Sequence, residues 1–321
     1  MEIVVTGGSG FIGSNFIDNW VDSNPDDIVV NVDKMTYASD PWYNSSASKK
    51  HNYRFVNSDI QDFDSMKKIL RDADLVVNFA AESHVDNSIS NSRPFIFSNV
   101  VGVHVLLELA RMYDLRFHQV STDEVYGTLE TDSPDEFDES TRYDPRNPYS
   151  ATKASADFLV RSYHNTYGIK ATISNSGNNF GPHQHPEKLV PKTIIYALKG
   201  KKIPIYGKGE QMRDWIYVKD HCTAVELVID KGKIGETYVI GSSAERIANV
   251  ELVRKIVGLI NNRFDLIEFV KDRPGHDFRY TLNPRKIKEE LSWSPKFSLT
   301  DGLKETIIHY TNNLERYTSK I

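Results

Sequence analysis

Thr6-Gly-Gly-Ser-Gly-Phe-Ile-Gly13 follows a short apolar run, Ile3–Thr6, and leads into an amphipathic stretch, Phe11–Val21. Gly8, Gly10 and Gly13 satisfy G-x-G-x-x-G; Gly7, Gly10 and Gly13 satisfy G-x-x-G-x-x-G. Between a strand and a helix, such glycines allow a tight turn and close approach of backbone to a pyrophosphate. The helix N-terminus then faces the anion. A glycine pattern alone is weak, and the flanking strand and helix supply the context it needs. Asp33 ends the next apolar run, 20 residues beyond Gly13. A carboxylate there accepts hydrogen bonds from the adenosine ribose hydroxyls and repels a 2′-phosphate. The stretch therefore predicts a dinucleotide site that favours NAD over NADP.

Outward from this turn the first half alternates short apolar runs with helical patterns. Strands are expected at Ile3–Thr6, Ile28–Val32, Leu75–Ala80 and Phe117–Ser121, and helices at Phe11–Val21, Ser65–Arg71 and Phe95–Tyr113. That alternation indicates βαβ units and a parallel sheet. Ser39–Asn52 and Leu129–Arg146 read as loops from their polar residues and prolines. Beyond about Ser174 the pattern loosens, with apolar pieces at Ile203–Tyr206, Trp215–Val218 and Thr237–Ile240. Helical patterns recur there at Val190–Lys199, His221–Asp230, Val250–Asn261 and Leu303–Leu314. The fold class expected is α/β: a Rossmann-type parallel sheet with helices on both faces, plus a smaller mixed α/β C-terminal lobe for the substrate.

Bulk properties narrow the function. The 321 residues suffice for a substantial core, and 39% hydrophobic with 26% charged residues is ordinary for a soluble protein. No apolar run approaches the roughly 18 residues of a membrane span, and no signal-peptide pattern precedes Ile3. Cys222 is the single cysteine, and no Cys/His cluster has zinc spacing. A cytoplasmic, metal-free protein is expected. The net charge of −5 argues against a general nucleic-acid surface.

Two motifs carry chemistry. Val120-Ser-Thr-Asp-Glu-Val-Tyr-Gly127 places Asp123 and Glu124 side by side where a strand ends. Its plain reading is a capping box, with Ser121 as N-cap and Glu124 three residues on. Its chemical reading is an acid and a base leaning into one pocket. Tyr149-Ser-Ala-Thr-Lys153 puts a phenol and an ammonium on one helix face. A nearby positive charge favours phenolate, which can take a hydroxyl proton while a hydride leaves for nicotinamide.

Thr6–Gly13, Ser121-Thr122 and Tyr149–Lys153 together resemble the extended short-chain dehydrogenase/reductase superfamily. More narrowly, the chain resembles the dTDP-glucose 4,6-dehydratase family over nearly its whole length. The matching stretches are Asn31–Tyr37, Ala80–Asp86, the STDEVYG run, Asn178–Pro182, Pro186–Pro191, Arg213–Trp215 and Asp272–His276. The Asp-Glu pair discriminates most: sugar-nucleotide decarboxylases tend to carry Thr-Ser-Glu, epimerases lack both acids, and CDP-glucose dehydratases tend to have Asp-Lys.

The resemblance implies a mechanism and a site. NAD oxidises C4 of the sugar, with Tyr149 as base and Thr122 on the same oxygen. Glu124 removes the C5 proton, Asp123 protonates the departing C6 hydroxyl, and the hydride returns to C6. Catalytic residues are then Thr122, Asp123, Glu124, Tyr149 and Lys153. The implied cofactor site comprises Gly7, Gly10, Phe11, Ile12, Gly13, Asp33, Lys34 and Thr36, with Asp59 and Ile60 beside the adenine. It continues through Ala80, Ala81, Ser83, Asn99, Tyr149, Lys153 and Asn179. Implied substrate contacts are Ser83, His84, Thr122, Asn178, Lys188, Leu189, Pro204, Tyr206 and Asn249, with Arg213, Arg273 and His276 near the diphosphate. Guanidinium forks suit phosphate oxygens.

The resemblance also implies a division of the chain. Residues 1–177 and 209–241 form the NAD-binding domain, and 178–208 with 242–321 form the sugar-nucleotide lobe. A homodimer is expected, paired through Phe95–Tyr113 and Tyr149–Tyr167 as a four-helix bundle. The chain departs from the family at Asn87, where arginine is usual, and at Val239, where asparagine is usual. Another NAD-dependent sugar-nucleotide dehydratase or epimerase of the superfamily is the alternative.

Overall fold

The β-branched runs do form a parallel sheet. In the computed structural model, which describes residues 1–130, 133–242, 246–272 and 277–320, six strands come from residues 1–176. They are β1 (Glu2–Thr6), β2 (Ile28–Asp33), β3 (Tyr53–Asn57), β4 (Leu75–Asn78), β5 (Arg116–Thr122) and β6 (Ala171–Ser176). Thr237–Ile240 joins beyond β6, and the order is Thr237–Ile240, β6, β5, β4, β1, β2, β3. Every pairing in this sheet is parallel. The order reverses between β1 and β4, which is the crevice where doubly wound sheets bind ligands.

Alternate side chains fill opposite faces. Ile3, Val5, Val29, Leu75 and Val77 pack with Phe16, Ile17 and Trp20 from helix Phe11–Ser23 and with Val225 and Val228 from helix Val218–Lys231. Val4, Val30, Val32 and Val76 pack on the other side with Met66, Leu106, Leu109 and Val160. Smaller strand pairs lie outside the main sheet: Asn178–Phe180 with Trp215–Tyr217, Met212–Arg213 with Ile247–Ala248, and Ile203–Tyr206 with Ile267–Val270.

Two strands escape a search for apolar runs. β3 sits at the sheet edge with Arg54 and Phe55 exposed, so its alternation is blurred. β6 is buried along its length although its sequence is Ala-Thr-Ile-Ser-Asn-Ser. Its polar groups are matched: His118 of β5 hydrogen-bonds Thr172 Oγ1 at 2.9 Å through Nδ1 and Ser174 Oγ at 3.1 Å through Nε2.

Two expectations need correction. Helix Arg93–Tyr113 is, by length and composition, apolar enough to cross a membrane. Its inner face is instead taken by Ile60, Met66 and Val160, which pack with its Val103, Leu106, Leu107 and Ala110. The segment 39–52 is less open than a surface loop. It holds two short 3₁₀ turns, Pro41–Asn44 and Ala47–Lys49, that bury Tyr43, Asn44 and Ala47.

Burial holds His118 and His221 neutral, with pKa values pushed down to about 3. An unfolded chain protonates histidine near pH 6.5, so between about pH 6.5 and 3 the unfolded state binds the extra protons and stability falls as pH falls. His118→Gln keeps a hydrogen-bonding group and removes one such site. Its urea midpoint, measured from pH 7 to 4, should fall less steeply than that of the unaltered protein; parallel slopes would contradict the assignment.

Candidate active site

The glycine turn is built by close backbone contact. Gly7 has φ +68°, and a Cβ there would lie 2.6 Å from the Ala80 nitrogen. A Cβ on Gly13 would overlap the Gly7 carbonyl oxygen. Gly10 has only one neighbour within reach, Gly7 O at 3.2 Å, so its outer side is open. Asp33 ends β2 with its carboxylate fixed: Oδ2 accepts from Ser9 N at 3.0 Å, and Oδ1 accepts from Met35 N and Ser39 Oγ at 2.8 Å each.

Two adjoining cavities follow from this crevice. The first is lined by Gly7, Gly10–Gly13, Asp33, Lys34, Thr36, Asp59, Ile60, Ala80, Ala81 and Ser83, and reaches Tyr149 and Lys153. The second is lined by His84, Glu124, Asn178, Leu189, Pro204, Tyr206, Arg213, Trp215 and Asn249. Gln184, Glu187 and Lys188 line both and mark the junction. Asn99 and Asn179 lie one layer back. Asn99 braces Glu82, accepting from its N–H at 2.8 Å and donating to its carbonyl at 3.0 Å. Asn179 donates to Ser176 Oγ and Gly177 O, and its Oδ1 faces His221 Nδ1 at 2.9 Å. Arg273 and His276 fall outside the described residues. Asn87 reaches Tyr37 OH at 3.4 Å, and Val239 is buried beside Tyr126 and Phe137.

The Tyr/Lys pair faces the first cavity and Glu124 the second. Strand β5 ends in a 3₁₀ turn, Asp123–Tyr126, whose cap is Thr122: its Oγ1 accepts from Glu124 N at 3.3 Å. The Ser121–Glu124 capping box, the plain reading of this run, does not form, because Ser121 Oγ donates to Asp157 at 2.7 Å. Glu124 keeps part of its surface open to the second cavity and accepts from Asn147 Nδ2 at 3.3 Å. Asp123 is buried, with Oδ1 near Thr122 Oγ1 at 3.3 Å.

Burial and then the Glu124 charge push the Asp123 carboxyl well above the usual range; Asp214 adds to this. Burial also raises Glu124, offset by Asn147, Arg213 and Lys188. Arg213 lies buried over the Tyr280 ring, donating to the Met212, Phe278 and Asp277 carbonyls at 2.8, 3.0 and 2.7 Å. Among the described residues, buried polar atoms without a protein partner include Asp123 Oδ2, His84 Nδ1, Asn178 Oδ1, Trp215 Nε1 and Asn249 Oδ1. That concentration beside one cavity marks a site for a polar ligand.

Helix Pro148–Tyr167 supplies Tyr149 and Lys153 on one face. Its Asn147 cap accepts from Ser150 N at 2.9 Å while the same side chain holds Glu124. The Tyr149 phenol differs from the sequence expectation. Burial and the Glu124 charge raise its pKa, against a lowering contribution from the Thr122 hydroxyl. Lys153 is buried, donates to Val120 O at 2.7 Å, and is pushed down by burial to about 8, while Asp157 opposes the fall. Asp157, one turn on, belongs to neither motif. Its Oδ2 accepts from Ser121, Tyr143 (3.0 Å) and Asn175 (3.2 Å). An acidic residue four positions beyond a buried lysine was the available signal.

A parallel sheet with reversed order, a glycine turn in its crevice and a Tyr/Lys pair beside it define a dinucleotide-dependent enzyme of the short-chain dehydrogenase/reductase type. Residues 4–306 match the family described as GDP-mannose 4,6 dehydratase. The chain is 46% identical over 314 residues to the dTDP-glucose 4,6-dehydratase of Mycobacterium tuberculosis, covering 98% of this chain and 94% of the relative. It is 47% identical over 316 residues to a low-salt glycan biosynthesis protein of Haloferax volcanii, covering 98% of this chain and 100% of the other. The crystal structure of dTDP-glucose 4,6-dehydratase from Bacillus anthracis in complex with NAD superposes with a TM-score of 0.93 at 41% identity, over 100% of both chains. The chain belongs to the sugar-nucleotide 4,6-dehydratase family, among its dTDP-glucose 4,6-dehydratases.

Asp157 opposes the fall in the Lys153 pKa, so Asp157→Asn should move the Lys153 side-chain NMR titration below pH 8. Ser155→Ala, on the exposed side of the same helix, should leave it in place. An unchanged midpoint in Asp157→Asn would disprove the coupling.

Proposed function

We propose that the protein binds NAD and converts dTDP-glucose to dTDP-4-keto-6-deoxyglucose and water, as a hydro-lyase. The observation that carries this reading is the side-by-side pair of raised carboxyls at one end of β5. Asp123 is buried with a free oxygen, and Glu124 is open to the second cavity. Epimerisation at C4 needs a base for one hydroxyl; loss of water across C5 and C6 needs a base and an acid within reach of adjacent carbons.

The residues of the first cavity fit NAD. The open side of Gly10 leaves room for a pyrophosphate, and Asp33 on the lining of the same cavity supports its reading as the partner of ribose hydroxyls. Lys34 faces Asp59 at 3.6 Å, and the fixed Asp33 carboxylate disfavours a 2′-phosphate. When bound, NAD supplies the acceptor for the C4 hydride and returns it at C6. Tyr149 takes the C4 hydroxyl proton while Thr122 hydrogen-bonds the same oxygen. Lys153, kept cationic with the help of Asp157, stabilises the Tyr149 phenolate that accepts this proton. The new C4 ketone acidifies C5–H. Glu124 takes that proton as the C5=C6 double bond forms, and Asp123 protonates the C6 hydroxyl, which leaves as water. Glu124 then returns a proton to C5 as hydride reaches C6. Burial and the Glu124 charge both raise Asp123, which supports its acid role, while Asn147, Arg213 and Lys188 work against the rise of Glu124, which supports its base role.

The same reading gives the second cavity to the sugar nucleotide, with Asn178, Lys188, Leu189, Pro204, Tyr206, Arg213 and Asn249 about it. Residues 1–177 and 209–241 are then the NAD domain, and 178–208 with 242–321 the sugar-nucleotide lobe. The protein works in the cytoplasm as a homodimer. Exposed Ile96, Phe97, Val101 and Met112 on one helix, with Phe158 and Tyr167 on another, support a shared apolar face.

Glu124→Gln should lower turnover by roughly 10²–10⁴ yet accumulate NADH absorbance with dTDP-glucose, because oxidation at C4 is intact. Tyr149→Phe should show neither product nor NADH. In heavy water the unaltered enzyme should place deuterium at C5 and carry the C4 hydrogen to C6. A product lacking C5 deuterium, or full activity in Glu124→Gln, would refute the assignment. A Phe97→Asp, Met112→Asp double variant should shift the light-scattering mass from two chains to one; a monomeric unaltered protein would overturn the dimer.

A further inference from the structure

The C-terminal residues reach both walls of the first cavity. The loop after β2 lines that cavity through Lys34, Thr36, Tyr37, Ala38 and Ser39. Its next residue, Asp40, ties it to the glycine turn: Asp40 N donates to Ser9 O at 3.1 Å. The Asp40 side chain is 12% exposed and caps the Pro41–Asn44 turn by accepting from Trp42 N at 2.9 Å. Two cations from the last helical turns close on it. Lys320 Nζ lies 2.7 Å from Asp40 Oδ2, and Arg316 Nη1 lies 3.2 Å from the same oxygen. The Arg316 guanidinium also covers the Trp42 ring at 4.5 Å, and the Lys320 ammonium the Tyr43 ring at 5.0 Å.

The opposite wall is held by Tyr43 of the loop and by Tyr310 of the C-terminal helices. Tyr43 stacks on His183 at 4.5 Å, and His183 Nδ1 lies 3.0 Å from Ser14 Oγ in the first turn of helix Phe11–Ser23. Tyr310 OH donates to the Gln184 carbonyl, and Gln184 and His185 line the cavity. None of these residues belongs to the glycine, Tyr/Lys or Asp/Glu motifs.

We propose that Arg316 and Lys320 form a latch on Asp40 that holds the 34–44 loop over the dinucleotide cleft and slows release of NAD between turnovers. This rests on the assignment of that cleft to NAD. An enzyme whose cofactor is reduced and reoxidised within one cycle has no need to exchange it, so slow release costs it nothing. The ion pairs are only partly buried, and their effect is therefore of modest size and sensitive to salt.

The test uses full-length protein loaded with radiolabelled NAD and chased with unlabelled NAD. Asp40→Asn and the double variant Arg316→Gln, Lys320→Gln should each release label roughly five- to tenfold faster. The triple variant should be no faster than the double, since all three residues act through one contact. Arg316→Lys with Lys320→Arg should restore slow release, and raised salt should speed release from the unaltered protein but not from the triple variant. Lys320→Gln alone, at a partly exposed residue near the chain end, keeps the test open if the others fold poorly, and it should release NAD measurably faster. Release unchanged in Lys320→Gln and in the double variant, or effects that add in the triple, would overturn the latch. Retention of NAD by the unaltered protein with equal retention by the variants removes the latch alone. No binding of NAD by the unaltered protein removes both the latch and the cofactor reading.

Discussion

Five ionisable groups, Asp123, Glu124, Tyr149, Lys153 and Asp157, are enclosed in one wall of this protein, and the cost of removing their charges from water governs the site. Burial disfavours every charged form, so carboxyls and phenol rise and the ammonium falls. What stays charged is decided by near neighbours. Asp157 sustains the Lys153 ammonium, and Arg213 with Lys188 offsets the rise of Glu124. Asp123 has the Glu124 and Asp214 charges against it, with Arg213 and the Thr122 hydroxyl in its favour. Burial acts on both carboxyls, and unlike neighbours give the two different surroundings although the residues are adjacent in the chain.

The scaffold makes that burial possible by placing two rigid edges against each other. The carboxyl end of β5 delivers Thr122, Asp123 and Glu124, and the first turns of helix Pro148–Tyr167 deliver Tyr149 and Lys153. Asn147 joins the edges, since it caps the helix and also donates to Glu124. Asp157 joins them again through Ser121 and Asn175 at the ends of β5 and β6. Deeper in the sheet, His118 satisfies the hydroxyls of β6, which lets a polar strand lie in the interior beside these groups. On the cofactor side the constraint is steric: at Gly7 and Gly13 a Cβ would strike Ala80 or the Gly7 carbonyl, so the turn can sit tight under a phosphate.

Much of this was legible in the chain because it depends on local pattern. Apolar runs with helical stretches between them specify a parallel sheet, since strands buried on both faces commonly read as near-continuous apolar runs. The glycines, Asp33, the Asp-Glu pair and the Tyr/Lys spacing each report a backbone or face requirement set within a few residues. β3 was missed because an edge strand need not be apolar, and β6 because its polar side chains find partners only across the sheet. The membrane-length character of Arg93–Tyr113 is resolved only by what packs against it.

The sequence by itself determined the fold class, the dinucleotide turn and the candidate side chains of the site, because local spacing fixes which residues stand near one another on a strand, turn or helix. Tertiary structure decided their state. Whether Ser121 caps a helix or serves Asp157, whether Tyr149 is helped or opposed toward phenolate, and which of Asp123 and Glu124 keeps its proton depend on contacts between residues tens of positions apart. So does the meeting of Asp40 with Arg316 and Lys320, at opposite ends of the chain. Electrostatic energies follow distance and burial in space, and neither can be read from order along the chain.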